Sequence, residues 1–278
     1  MSDLQKSLQP HRRSFMDRFS LARLAYRRRD VELAQAAHTD ERLERTLREI
    51  GARGRLLADG VLGATDGIVT TFAVVAGAAG AYLSPRVVLI MGFANLFADG
   101  FSMSVGNYLG ASSQREYGLH ERKREIWEIE NLPQAERKEI QRLYRRKGFE
   151  EPLLEQIVDT VTGDKERWAD EMMREELGIQ EEGVVPLASG LVTFGAFFLA
   201  GLLPLLPYVA GLASPRLMAG AFPISVGMTV IALFGVGVAR RFMTRRSWWW
   251  SGLEILGMGG LAAAGAFAVG HFLQGSLE

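Results

Sequence analysis

The sequence predicts an all-α polytopic membrane protein, with five transmembrane helices and a helical insert between the second and the third. Three observations predict it. The apolar residues fall into long blocks instead of spreading as a soluble core would spread them. Within those blocks no broad charged face runs along the helix and only isolated charges interrupt them, unlike the helices of a soluble bundle. Charge is concentrated elsewhere, and a net charge of zero conceals an asymmetry. Residues 1–55 carry 13 Lys/Arg against 8 Asp/Glu, whereas residues 114–183 carry 13 against 19. The chain therefore divides into a basic arm (1–54), two spans (55–113), an acidic insert (114–183) and three further spans (184–278).

Crossing a hydrocarbon layer of about 30 Å takes roughly 20 apolar residues. The qualifying segments are 57–80, 86–111, 185–207, 213–239 and 251–273, with Pro204, Pro207 and Pro215 marking the break between the third and fourth. Lys and Arg beside the spans favour the cytosolic side. Five spans place the arm, the insert and the cluster Arg240, Arg241, Arg245 and Arg246 together on that side, with the C-terminus opposite. Trp248–Trp250 suit an interfacial aromatic belt or a partner contact. Glycines at Gly63 and Gly67, at Gly106 and Gly110, and from Gly252 to Gly270 predict close helix packing.

The arm has no apolar core of a signal peptide, and Arg12, Arg13, Arg18 and Arg27–Arg29 run through it. Phe15, Phe19, Leu21, Leu24 and Leu33 alternate with arginines there, which suits an amphipathic helix on an anionic membrane surface or a partner-binding tail. The chain has no cysteine, which excludes disulfides and thiolate metal sites.

Polar residues inside the spans stand out. Asp59 and Asp66 are two helical turns apart in the first span. A carboxylate near the centre of the bilayer costs about 2.5–3.5 kcal/mol on insertion scales, so such a residue is a functional candidate. In the second span Asn95, Asp99, Met103 and Asn107 recur every four residues. Hard oxygen donors with one thioether suit Fe²⁺ or Mn²⁺ better than Ca²⁺ or Cu⁺; a hydrogen-bonded packing seam is the alternative.

The insert reads as helices punctuated by Pro133, Gly148, Pro152 and Gly163. Glu125 and Glu128 are three apart on its first helix, as are Glu136 and Glu139 on its second, and a turn at Asn131–Pro133 would bring the two pairs together. A cation would complement them, and so would Arg122, Arg124, Arg137 and Lys138 as ion-pair partners. Ferritin-like di-iron chemistry needs Glu-x-x-His. His120 is the insert's only histidine and lies outside such a motif.

These residues resemble the vacuolar iron transporter family. The resemblance is carried by GATDGIVTTFAVVAG in the first span, ADGFSMSVGNYLG in the second, and REIWEIENLPQAERKEI and WADEMMREELG in the insert, and it covers about 55–275. It implies five spans, a homodimer and exchange of Fe²⁺ (with Mn²⁺ as a second ion) for protons, removing metal from the cytosol. Asp59, Asp66 and Met103 match the family's transmembrane pattern. Glu125, Glu128, Glu136, Glu139, Met172, Met173 and Glu176 match its cytosolic metal-binding pattern. Asn95 replaces a glutamate of the plant-type pattern, and Asp99, one turn on, is a substitute charge.

The expectation is thus a proton-coupled divalent-metal transporter. It is not an enzyme, has no prosthetic group, takes metal ions, protons and lipid as partners and binds no nucleic acid; a bacterial inner membrane is the expected location. The rival is a membrane-anchored metal-binding or sensing protein without transport.

Overall fold

The computed structural model describes residues 26, 28–32, 35, 40–179, 185–244 and 247–277. The helix expected from Phe15, Phe19, Leu21, Leu24 and Leu33 lies outside them. The described elements are helical throughout: α1 (Asp40–Gly80), α2 (Pro85–Asn131), α3 (Pro133–Arg146), α4 (Leu153–Thr162), α5 (Lys165–Glu175), α6 (Pro186–Gly201), a 3₁₀ turn (Leu203–Leu205), α7 (Leu206–Gly211), α8 (Pro215–Ala219), α9 (Ala221–Thr244) and α10 (Trp248–Leu277).

Five helical stretches are long and apolar enough to cross a membrane: Gly54–Gly80, Pro85–Asn131, Pro186–Gly211, Ala221–Arg240 and Trp248–Ser276. The fourth starts later than the expected 213, because Pro215 starts the short helix α8 and the chain breaks again at Gly220. Pro223, near the start of α9, sits where a helix has no internal partner for its N–H. In the third stretch Pro204 and Pro207 interrupt the α-helical pattern, and the Ser225 hydroxyl donates to the Pro204 carbonyl at 2.6 Å.

α1 and α2 are joined by a tight turn. Tyr82 adopts a left-handed conformation (φ 52°), and the Leu83 N–H closes back on the Ala78 carbonyl at 2.9 Å. α2 has 47 residues, about 70 Å at 1.5 Å per residue, so it extends well beyond a hydrocarbon layer. Its far end holds nine charged residues between Arg115 and Glu130 and leads into α3–α5.

The insert has its own apolar core of Ile129, Ile140, Leu154, Val158, Val161, Trp168, Ala169 and Met172. Its helices begin and end at the punctuation read from the sequence. Pro133 occupies the first turn of α3, Gly148 is left-handed (φ 92°) beyond it, and the Asp164 side chain caps α5 by accepting from the Arg167 N–H at 2.8 Å. Arg122 pairs with Glu166 and Asp170 on α5, while Arg137 pairs with Glu155 and Asp159 on α4. These ion pairs fasten the insert's helices to one another.

Among the spanning helices α1 is central, packing against α2, α6, α9 and α10. Its crossing with α6 depends on missing side chains. A Cβ on Gly67 would stand 2.3 Å from the Phe197 carbonyl oxygen, and one on Gly201 would stand 2.6 Å from the Gly67 carbonyl oxygen. At the other end of α1 a Cβ on Gly270 of α10 would meet the Gly77 carbonyl at 2.1 Å. Gly106 and Gly110 differ: a Cβ on either meets nothing within 4 Å, so neither makes a close approach among the described residues. Trp248 and Trp249 pack edge-on with Phe234 of α9, and Trp250 is exposed.

Gly67→Val should force α1 and α6 apart. We expect a loss of at least the ~1–3 kcal/mol typical of overpacking, read as a lower thermal midpoint in detergent, whereas Gly106→Val should leave the midpoint of a single chain unchanged.

Candidate functional site

α1 and α2 run antiparallel, and their polar stripes meet in register. Asn95 donates from Nδ2 to the Thr70 hydroxyl at 3.5 Å; Asp99 lies within electrostatic reach of Asp66; Asn107 donates from Nδ2 to Asp59 Oδ1 at 3.3 Å. Going up one helix therefore means going down the other. Met103, between Asp99 and Asn107, is partly buried against the apolar core.

The three aspartates have different surroundings. Asp59 is 8% exposed and fully engaged: Oδ1 accepts from Asn107, and Oδ2 accepts a short hydrogen bond from the Ser189 hydroxyl of α6. Asn107 also donates to Thr193 Oγ1 at 2.6 Å, and Thr193 in turn donates to the Ser189 carbonyl at 2.9 Å. Three helices thus converge on one carboxylate. Asp66 is half-buried and Asp99 is exposed on the single chain. Among the described residues no donor is hydrogen-bonded to the side chain of either.

Ser189 and Thr193 escaped the sequence reading. Their one signal was their four-residue spacing in an otherwise apolar span, which places both on the same face.

A second cluster forms in the insert. The Asn131–Pro133 turn folds α3 back on α2 and brings the glutamate pairs together. Glu125 is 1% exposed and Glu136 5%. Glu128 and Glu139 are half-buried, and Glu176 is exposed beside them. Burial pushes the carboxyl of Glu125 up to about 7, against the lowering effect of Arg124 and with Glu176, Glu128 and Glu139 adding to the rise. Burial likewise pushes Glu136 up to about 7, reinforced by Glu139, Glu125 and Glu128. Glu176 is raised too, by partial desolvation and then by Glu139. One oxygen each of Glu125 and Glu136, Oε2 in both, is buried without a hydrogen-bond partner. Such an atom costs about 1–3 kcal/mol, more when charged.

Of the basic residues able to neutralise these pairs, Arg124 does so. Its guanidinium donates to Glu121 Oε2 at 2.9 Å, Glu125 Oε1 at 2.7 Å and Glu128 Oε2 at 2.6 Å. Arg122 and Arg137 point to α5 and α4 instead. With the side chains in this arrangement, no three acidic or histidine groups among the described residues are gathered closely enough to hold an ion. Met172 belongs to the apolar core of the insert, while Met173 is buried outside that core.

Comparison with known proteins agrees with this architecture. Residues 57–271 match the VIT family. The chain is similar to the vacuolar iron transporter of Toxoplasma gondii, at 35% identity over 91% of this chain and 87% of the relative. It is 33% identical to vacuolar iron transporter 1 of Arabidopsis thaliana, over 80% of this chain and 87% of the relative. With the vacuolar iron transporter of Plasmodium falciparum it shares 36% identity over 68% of this chain and 71% of the relative. A match spanning all five apolar helices and the insert between them makes this chain a member of the VIT family.

Proposed function

We propose that the chain moves a divalent metal ion, Fe²⁺ with Mn²⁺ as the second candidate, out of the cytosol in exchange for protons. It does so as a transporter and not as an enzyme. The observation that carries this reading is the register of α1 and α2, which sets Asp99 across from Asp66 in the spanning region with no described hydrogen-bond donor to either side chain. Two like charges facing each other at membrane depth are neutralised by protons or by a cation. A divalent ion favours the ionised carboxylates and releases the protons, and alternating between the two occupancies is antiport. Asp59 marks the end of the same stripe nearer the insert. Asn95 and Met103 supply an oxygen donor and a soft donor along it, a mixed set that suits Fe²⁺ or Mn²⁺.

The exposure of Asp99 supports a homodimer. A carboxylate on the outer face of a spanning helix would meet hydrocarbon, and intramembrane charges face a bundle interior or a water-filled cavity. A second copy laid against α2 would cover Asp99, with Gly106 and Gly110 permitting close approach.

In the insert, Glu125, Glu128, Glu136, Glu139 and Glu176, with Met173, form the capture site for metal arriving from the cytosol, and Met172, the other expected thioether, packs in the apolar core instead. The unpartnered buried oxygens of Glu125 and Glu136 support this. The Lys/Arg distribution supports a cytosolic arm and insert with the C-terminus opposite, and the Arg-rich arm and absence of cysteine support a bacterial inner membrane.

Two outcomes test the reading. In proteoliposomes with an imposed pH gradient, Fe²⁺ or Mn²⁺ uptake should require the gradient and fall by at least about tenfold in Asp66→Ala; wild-type uptake by that variant would sink the mechanism. No gradient-dependent uptake by folded wild type would favour a membrane-anchored metal-binding protein.

The second outcome concerns pH. Glu125 and Glu136 have folded values raised to about 7 from an ordinary 4.5. Their contribution to stability is therefore complete below pH 4.5 and is lost as the pH rises through 7. With chelator present, the insert's melting temperature, followed through the buried Trp168, should fall between pH 5 and pH 8. Mn²⁺ should restore it at pH 8, and Glu136→Gln should flatten the pH dependence while weakening that restoration. A melting temperature that rises with pH would refute the assignment.

A further inference from the structure

Arg124 makes an unusual set of contacts. An arginine that holds a fold together bridges separate elements, as Arg122 and Arg137 do by reaching from α2 and α3 to α5 and α4. The three partners of Arg124 all lie on its own helix, at positions three before, one after and four after it. Removing it would break no hydrogen bond between helices. Its guanidinium instead takes one oxygen from each of Glu121, Glu125 and Glu128, leaving Oε2 of Glu125 buried and unpartnered. Glu136, Glu139 and Glu176 complete the cluster around this single positive charge.

We infer that Arg124 is a tethered cation that holds the oxygens of Glu121, Glu125 and Glu128 and yields them to an arriving divalent ion, so that it sets the metal concentration at which the insert loads. The inference rests on reading Glu125 and Glu128 as part of a capture site, to which Glu121 is a neighbour. Arg124 takes one oxygen of each carboxylate at 2.6–2.9 Å, so an ion that grips Glu125 or Glu128 through both oxygens at roughly 2.0–2.6 Å must displace it, and an ion on the remaining oxygens lies against its positive charge. One delocalised charge facing Glu121, Glu125, Glu128, Glu136, Glu139 and Glu176 also leaves most of their repulsion uncompensated, which a compact double charge relieves better. The arginine thus keeps the carboxylates assembled while opposing weakly held cations. Ions that fail to displace it, such as singly charged ones, are excluded, which makes Arg124 a specificity-determining residue that need not touch the bound metal.

The test is Mn²⁺ binding to the full chain in detergent at pH 8, read from loss of the free-ion paramagnetic resonance signal. It compares wild type, Arg124→Gln, Arg124→Lys and a variant with alanine at Glu125, Glu128, Glu136 and Glu139; binding absent from the last belongs to the insert. Arg124→Gln should tighten insert binding on the order of tenfold or more. It should lower the melting temperature with chelator present and leave the Mn²⁺-loaded melting temperature at the wild-type value. Arg124→Lys keeps the charge and loses the three-pronged geometry, and should tighten binding by a smaller factor; it serves if the glutamine variant does not fold. Unchanged or weaker Mn²⁺ affinity, or equal destabilisation with and without Mn²⁺, would show that Arg124 stays on its carboxylates and would overturn the inference. Wild-type binding indistinguishable from that of the quadruple variant would overturn the capture site itself.

Discussion

A carboxylate removed from water must find a counterpart, and the fold is arranged around three ways of meeting that demand. At Asp59 the counterparts are neutral donors. Asn107 and Ser189, drawn from two other helices, occupy both oxygens, and Thr193 steadies them. At Glu125 and Glu128 the counterpart is a charged arginine on the same helix. At Oε2 of Glu125 and of Glu136 no donor is provided, and none is described at the side chains of Asp66 and Asp99. This gradation separates a carboxylate satisfied by the fold from carboxylates left for something that arrives.

The helix packing makes the gradation possible. The Asp59 network requires Ser189 of α6 to reach α1, and that approach is set a turn or more away, where Gly67, Gly201 and the Phe197 backbone allow main chains to touch. The antiparallel register of α1 and α2 then decides which polar residues face each other. Because Asn95 meets Thr70 and Asn107 meets Asp59, Asp99 has Asp66 opposite it. A shift of one residue in α2 would turn its whole stripe by about 100° and dissolve the pairing.

The five spans and the helical insert were legible in the sequence because they rest on block hydrophobicity and on Pro and Gly punctuation, both local signals. The polar stripes were legible for the same reason, since a four-residue recurrence declares its own face. Other features depended on which surfaces come together. Ser189 and Thr193 look like ordinary span hydroxyls, which often bond to their own helix. Gly106 and Gly110 have the spacing of Gly63 and Gly67, yet among the described residues only the latter pair meets another helix. Arg122 and Arg124 are two residues apart and point to different partners, a choice made by where α5 docks. Met172 and Met173 are adjacent, and helical geometry sends the first into the apolar core.

The unbroken length of α2 has a mechanical consequence. Asp99 and Glu125 are carried on one rod, separated along its axis by roughly 39 Å. At physiological ionic strength charges are screened over about 8 Å, so neither end senses the other's charge through water. On the proposed capture role, an ion held by the glutamates would gain nothing from the aspartates until it let go and diffused. If the two ends cooperate, the insert serves as a reservoir that enriches the mouth, not as a relay that hands ions on. Grip at the insert then trades directly against supply: an ion held too tightly there never reaches the membrane.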